Sequence, residues 1–157
     1  MKLEDLSYDC NNGFILYKSK RVGSMDKARG YRSVNVDRKR YREHRLAWFL
    51  YYGNLPNENI DHINHKKDDN RISNLRLATP NENGKNQSLH RSNKSGFNGV
   101  HFDKRRNKWA VAIHVDGKTI RIGRYNNMDA AINARINANI KYGFHHNHGA
   151  VSPSDGW

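Results

Sequence analysis

Apolar and polar residues alternate along this chain with two periods, and the switches between them mark out its elements. Phe14-Ile15-Leu16-Tyr17 and Tyr31-Arg32-Ser33-Val34-Asn35-Val36 read as short strands punctuated by Gly13, Gly23 and Gly30. The second run sets Tyr31, Ser33 and Asn35 against Arg32, Val34 and Val36. It then turns at Asp37-Arg38 into Lys39-Arg40-Tyr41-Arg42, which predicts a hairpin. From His44 to Tyr52 the period lengthens: Leu46, Phe49 and Leu50 share one helical face with Ala47 and Trp48 beside it, and Gly53 is a natural stop. Leu55-Pro56 redirects the chain into an extended stretch, Asn59 to Ile63. Lys66 to Asn70 is polar enough to be a loop, and Leu75 to Thr79 reads as a returning strand. A helix then starts with Thr79 as cap, Pro80 in its first position and Glu82 three residues after the cap.

Residues 84–95 carry almost no apolar side chains and read as a link that finishes this helix and then runs free. Beyond them come three strands: Gly99 to Asp103, Lys108 to Val115 and Lys118 to Tyr125. Arg106-Asn107 and Asp116-Gly117 form the turns. Alternation puts Trp109, Val111, Ile113, Val115, Ile120 and Ile122 on one face, and leaves Lys108, Ala110, His114 and Arg121 able to face outward. A helix capped by Asn126 or Asn127 follows, with Asp129 near its positive end and Ile132, Ile136 and Ile140, with Ala131 and Ala138 beside them, as a narrow stripe to lie on the sheet. His145, His146 and His148 fall in what reads as a flexible tail. The predicted class is α+β. A unit over 1–87, with a strand–loop–strand–helix core at about 58–87, joins through a linker at 88–95 to a three-stranded antiparallel sheet plus helix at 96–147, with a tail at 148–157.

Charge decides what such a chain meets. The formal charge is +13, of which residues 1–87 carry +6 and residues 88–157 carry +7, so the excess is not one basic tail on a neutral body. Cations mixed with Tyr, Trp and Asn point to a polyanion, most often nucleic acid, with a basic ribosome-associated protein as the bland alternative. The single cysteine, Cys10, rules out an intramolecular disulfide framework and a Cys-rich zinc ribbon. No apolar run approaches the roughly 20 residues needed to cross a bilayer, and the first residues lack the order of a signal peptide. A reducing cytoplasm, bacterial or that of an infected cell, fits best.

The chemistry-bearing feature is Asp61-His62, in the run Asn59-Ile60-Asp61-His62-Ile63-Asn64, with Asn70, Asn74 and Asn83 downstream. A carboxylate beside an imidazole, with carboxamides at fixed distances, can hold one divalent metal and activate one water. That is the minimal equipment for hydrolysing a phosphodiester. Asn83, in the first turn of its helix, can swing back toward Asp61. His44 at the head of its helix reads as a polar or DNA-facing residue, and His65 as solvated or touching phosphate. Arg45 and Arg71 are either phosphate clamps or partners of Glu43 and Asp69.

Five blocks in one order carry a resemblance: His44-Arg45-Leu46-Ala47-Trp48, Ile60-Asp61-His62-Ile63-Asn64, Asp69-Asn70-Arg71, Asn74-Leu75-Arg76 and Thr79-Pro80-Asn81-Glu82-Asn83. Over about residues 28–87 the chain resembles the HNH nucleases of the phage homing-endonuclease type, in the variety whose last histidine is replaced by asparagine. The resemblance implies a ββα-metal fold and a divalent-metal-dependent endonuclease. It further implies that Asp61 and Asn83 bind one Mg²⁺ or Mn²⁺, His62 is the general base, and Asn74 helps fix the His62 ring. The roles make chemical sense: these ions prefer oxygen ligands and keep several waters, and a neutral imidazole is suited to take a proton from water near neutral pH.

The second unit resembles, over about 94–147, the AP-two DNA-binding domain of the ethylene-response-factor class. The matching residues are Gly96 to Val100, Lys108 to Ile113, Ile122-Gly123-Arg124-Tyr125 and Asp129-Ala130-Ala131. That resemblance implies a sheet face in the major groove of double-stranded DNA, with Arg105, Lys108, Trp109, Arg121 and Arg124 as contacts. Arg105 and Arg121 are the better suited to reading bases. Arg and Lys are sparser on these strands than in sequence-specific members, which implies relaxed specificity and salt-sensitive affinity. The whole reads as a nuclease that docks by its second unit and nicks one strand per active site, as a monomer or weak dimer. The competing reading is a non-catalytic DNA-binding protein with a vestigial HNH scaffold.

Overall fold

The computed structural model describes residues 1–150, and the last seven residues of the expected tail lie outside them. The contacts divide the chain into two compact units at Pro80/Asn81, seven residues earlier than the sequence pattern suggests. Both units are α+β, built of small antiparallel sheets and few helices.

The first unit opens with a sheet in which the middle strand is the predicted Phe14–Tyr17 and the outer two were passed over by the sequence reading. β1 (Leu6–Asp9) pairs with β2 (Phe14–Tyr17), which pairs in turn with the short β3 (Lys20–Arg21). A second sheet follows in the order β4 (Ser24–Asp26), β5 (Tyr31–Val36), β6 (Lys39–Arg42). Its β5–β6 turn is the predicted Asp37-Arg38, and both residues have positive φ, 47° and 64°, as the two central residues of a type I′ turn require. Alternation across β5 sends Val34 and Val36 into the core and leaves Tyr31 and Asn35 on the polar side.

Helix α1 (Glu43–Tyr52) starts directly after β6 and ends where Gly53 N–H bonds the Phe49 carbonyl. Leu46 and Ala47 lie against Leu6, Ile15, Val34, Val36 and Leu75, so one core ties the helix to strands from both ends of the unit. At the head of α1, Glu43 is wholly buried and accepts from Arg32 Nε at 2.8 Å; burial raises its carboxyl, and Arg32 pulls the other way. Then β7 (Asn59–His62) pairs with β8 (Leu75–Ala78) in the register Asp61↔Arg76 and His62↔Leu75, after a 3₁₀ turn at Ile72–Asn74. The helix α2 (Pro80–Gly84) begins at the predicted proline and is only five residues long.

In the second unit β9 (Val100–Asp103), β10 (Lys108–Val115) and β11 (Lys118–Tyr125) form the predicted three-stranded meander, with β10 in the middle. Helix α3 (Met128–Lys141) is capped by Asn127, whose side chain accepts from Ala130 N–H. Its buried stripe is the expected alanine flank with Arg135, rather than the isoleucines: Ala131, Arg135 and Ala138 face inward, while Ile136 is 41% and Ile140 74% exposed. The reason is a carbonyl on β10 at the end of its pairing with β9, where Ala112 N–H bonds Gly99. The Ala112 carbonyl takes its hydrogen bond from Arg135 Nη1 at 2.8 Å, so α3 turns a cation toward the sheet in place of a third isoleucine.

The link is not free. His145 N–H bonds the Lys85 carbonyl, Gly149 N–H bonds Gln87 and Leu89 N–H bonds Ala150, so 85–89 and 145–150 run together. His148 packs edge-on to Phe144, with its Nε2 at 3.3 Å from Arg135 Nη2 and 3.4 Å from Asn98 Nδ2. The histidines expected in a tail therefore belong to the fold of this unit.

Candidate active site

The end of β7 carries Asp61 and His62 as chain neighbours, and strand alternation points them to opposite faces. His62 turns inward and is buried; Asp61 turns to the other face and is partly sheltered. Asp61 Oδ2 accepts two bonds from Arg76, from Nε at 3.1 Å and Nη2 at 2.9 Å. Since Asp61 and Arg76 are register partners across β7–β8, the sheet itself sets this pair.

The His62 ring is held by Asn70: Oδ1 lies 3.1 Å from Nε2. A carbonyl oxygen only accepts, so Nε2 carries the hydrogen and Nδ1 keeps the lone pair. Asn70 is in turn buried, with its backbone carbonyl taking the Tyr8 hydroxyl at 2.8 Å. Gly13, with φ of +73°, lies so close to the Asn70–Arg71 backbone that a Cβ there would collide with it. The β1–β2 hairpin missed by the sequence reading is thus the support under the residue that holds His62.

Asn74 has a different task from the one the resemblance implies. Its Oδ1 accepts from Asn64 N–H at 2.9 Å and its Nδ2 donates to the Asp69 carbonyl at 2.8 Å, so it closes the 63–70 loop on itself. In the same loop Asn64 Nδ2 reaches Asp69 Oδ2 at 2.7 Å. Asn74 shapes the segment that presents Asn70, and Asn70 makes the ring contact. Asn83 is exposed on α2 and falls in the second unit.

His44 is not at a DNA-facing surface. It is buried, edge-on to His62 with ring centroids 5.2 Å apart, and Tyr31 closes a three-ring cluster at 5.5 Å from His44 and 5.9 Å from His62. Burial first, then the proximity of His62, Arg45 and Arg42, pushes the His44 imidazole down to about 3, so it is neutral wherever the protein works. Burial also lowers His62, against the bond from Asn70 and the nearby carboxylates of Asp61, Asp69 and Asp68. A ring kept neutral is one that can accept a proton. His65 is buried too, in a left-handed conformation with its N–H on the His62 carbonyl.

The two arginines left open by the sequence are both committed. Arg45 Nη2 donates to the Pro56 carbonyl at 2.7 Å, and Arg71 grips Asp69 through Nε at 2.8 Å and Nη2 at 2.6 Å. Asp69 is held below the usual carboxylate range chiefly by that arginine. Glu43 has Arg32 as its partner instead. In the second unit Lys108, Arg121 and Arg124 are exposed on the outer face of the sheet and Arg105 is in the exposed β9–β10 turn. Trp109 turns inward, against Val100, Val111 and Ala131, with Phe102 at 5.2 Å edge-to-face.

Asp61 is an oxygen donor of the kind that Mg²⁺ and Mn²⁺ prefer, with its Oδ2 engaged by Arg76. Among the described residues no group of three or more His, Cys, Asp or Glu side chains gathers as a zinc centre of the structural kind would need. No helix among them is long and apolar enough to cross a membrane.

Comparison with known proteins meets this geometry. Residues 41–85 match the model of an HNH endonuclease family. Protein 3.8 of Escherichia phage T7 is 36% identical over 78 residues, a match covering 49% of this chain and 64% of that protein. No solved structure matches. The matched residues 41–85 hold α1, the Asp61-His62 strand and the Asn70 loop, so the part of the chain that is similar to HNH endonucleases is the part that builds this site.

Proposed function

We propose that the protein is a divalent-metal-dependent endonuclease that hydrolyses phosphodiester bonds of duplex DNA, one strand per active site. The observation that carries this is the pairing at the end of β7: a neutral, buried His62 held through Nε2 by Asn70, beside an Asp61 carboxylate fixed by Arg76, inside an HNH domain. His62 Nδ1 takes a proton from water, the oxygen attacks phosphorus, and the bond to the 3′ oxygen breaks, leaving a 5′-phosphate and a 3′-hydroxyl once that oxygen takes a proton from solvent. One Mg²⁺ or Mn²⁺, held by Asp61 with Asn83 as the second ligand, would supply positive charge for the phosphate and the departing oxygen. Asn74 keeps the loop in shape, and Asn70 keeps the ring in its tautomer.

The second unit is the docking module in this reading. Its AP-two-like sheet would lay the outer face of β10 and β11 on the duplex, with Arg121, Arg124 and Lys108 in contact and Arg105 at the rim, while Trp109 supports that face from the core. The phage homing-type purpose, the host cytoplasm and a monomer or weak dimer belong to the same proposal. The non-catalytic alternative has one observation in its favour, the engagement of Asp61 Oδ2 by Arg76. End-labelled duplex incubated with the protein and Mg²⁺ or Mn²⁺ separates the two. Nicks that DNA ligase reseals, and so carry 5′-phosphate and 3′-hydroxyl ends, support hydrolysis; a duplex bound but intact under every metal condition would leave only the binding protein.

A further inference from the structure

The site has a cationic flank that neither the HNH match nor the sequence pattern assigns. Tyr31, whose ring lies 5.9 Å from His62, has Arg42 Cζ 5.1 Å and Lys67 Nζ 5.2 Å from its centroid. The two cations reach it from separate places. Arg42 ends β6 opposite Ser33, so it is the diagonal neighbour of Tyr31 on the polar face of β5, the face that also carries Arg40 opposite Asn35. Lys67 comes from the loop that follows His62.

Neither cation is well matched within the protein. Arg42 Nη1 is sheltered from solvent and has no hydrogen-bond partner, and its ion pair with Asp26 Oδ2 is long, 3.6 Å. Lys67 Nζ has a long bond, 3.3 Å, to the Arg29 carbonyl. Two like charges brought to one ring repel, and an anion between or beside them relieves that cost. Both lie within about 11 Å of the His62 ring, roughly three nucleotide rises along one DNA strand. By contrast, of the arginines the sequence favours, Arg71 is paired through two nitrogens with Asp69, and Arg45 gives Nη2 to the Pro56 carbonyl.

We propose that Arg42 and Lys67 are a phosphate clamp: seated on Tyr31, they bind a backbone phosphate within about three nucleotides of the one attacked, and so set the register of the strand against His62. This rests on the DNA-cutting reading for its purpose but not for its test, because binding is measured without turnover.

The test uses the full chain, a fluorescent duplex and EDTA, with affinity followed by anisotropy across a salt series. Each phosphate contact contributes about 0.9 to the slope of log K against log salt, so Arg42→Gln and Lys67→Gln should each flatten it by about that much. Arg42→Lys and Tyr31→Phe, which keep charge and shelf, should retain it. Arg71→Gln, which removes a charge already bound to Asp69, should leave the slope unchanged. Lys67 is exposed, so its variant is decisive even where Arg42→Gln unfolds. An unchanged slope in Lys67→Gln overturns the clamp, as does an equal loss in Arg71→Gln, which would mean unspecific charge only. Where wild type binds and nicks nothing with any metal, the nuclease reading falls and the slopes still judge the clamp. With a mapped nick, one neutral methylphosphonate within three nucleotides should weaken wild type more than it weakens Lys67→Gln, which keeps only Arg42; equal weakening of both overturns the assignment.

Discussion

His44→Phe isolates the physics of the ring cluster. His44 is buried edge-on against His62, and the protein holds its imidazole at about 3 rather than the ordinary 6.5. The sign follows from linkage: a histidine depressed in the folded state binds its proton mainly when unfolded. Its contribution to stability is therefore complete above pH 6.5 and is lost as pH falls from 6.5 toward 3. Over that window the penalty grows by up to about 1.4 kcal/mol per pH unit, and reaches about 2 kcal/mol at pH 5. Phenylalanine keeps a ring at the position and cannot take the proton. Urea unfolding of the two proteins at pH 7.5, 6 and 5 should show a difference between them that moves by about 2 kcal/mol in favour of His44→Phe from the first pH to the last, whatever its size at pH 7.5. Parallel pH profiles would refute the account, since they require a His44 that titrates alike folded and unfolded.

Three further outcomes follow from named contacts. Asn70→Leu removes the acceptor from a buried imidazole N–H, a loss worth about 1–3 kcal/mol, and should slow nicking by roughly 10- to 100-fold while Asn74→Ala acts through loop stability, seen in the melting temperature as well as the rate. Arg32→Met strands Glu43 in the core and should cost about 3 kcal/mol in urea unfolding at pH 7; because burial raises the Glu43 carboxyl, the deficit should shrink as pH drops toward the carboxylate range and the group protonates. Gly99→Ala drives a methyl into the Ala112 carbonyl, beside the Arg135 guanidinium, from a backbone with φ of +74°; calorimetry should show a loss of at least about 1–3 kcal/mol of stability.

What the sequence made legible was local. The type I′ turn at Asp37-Arg38, the helix ending at Gly53 and the strand carrying Asp61-His62 each follow from a few adjacent residues, and the structure has all three. The misses were long-range. Leu6-Ser7-Tyr8-Asp9, unlike the all-apolar Phe14–Tyr17, carries two polar residues in four and forms a strand by pairing with that segment. The α3 face was misjudged because three isoleucines at spacing four outweigh one arginine in a periodicity count. The Ala112 carbonyl, which Arg135 satisfies, reverses that preference, since a buried polar group without a partner costs more than an exposed methyl group. Asn70 sits in a block the sequence did single out, but which of two carboxamides meets His62 depends on how the 63–70 loop closes. That closure is made by Asn74 bonding Asn64 and Asp69. The segment 85–89 looked free because its partners are backbone groups some sixty residues on, at 145–150.

The account stands or falls on one assay: supercoiled plasmid incubated with wild-type protein and Mg²⁺ or Mn²⁺, beside His62→Ala and an EDTA control. The account predicts open circles appearing before linear molecules with wild type, none with EDTA, and a rate at least about 100-fold lower in a folded, DNA-binding His62→Ala. Equal nicking by wild type and His62→Ala, or a plasmid left supercoiled by both, would contradict it.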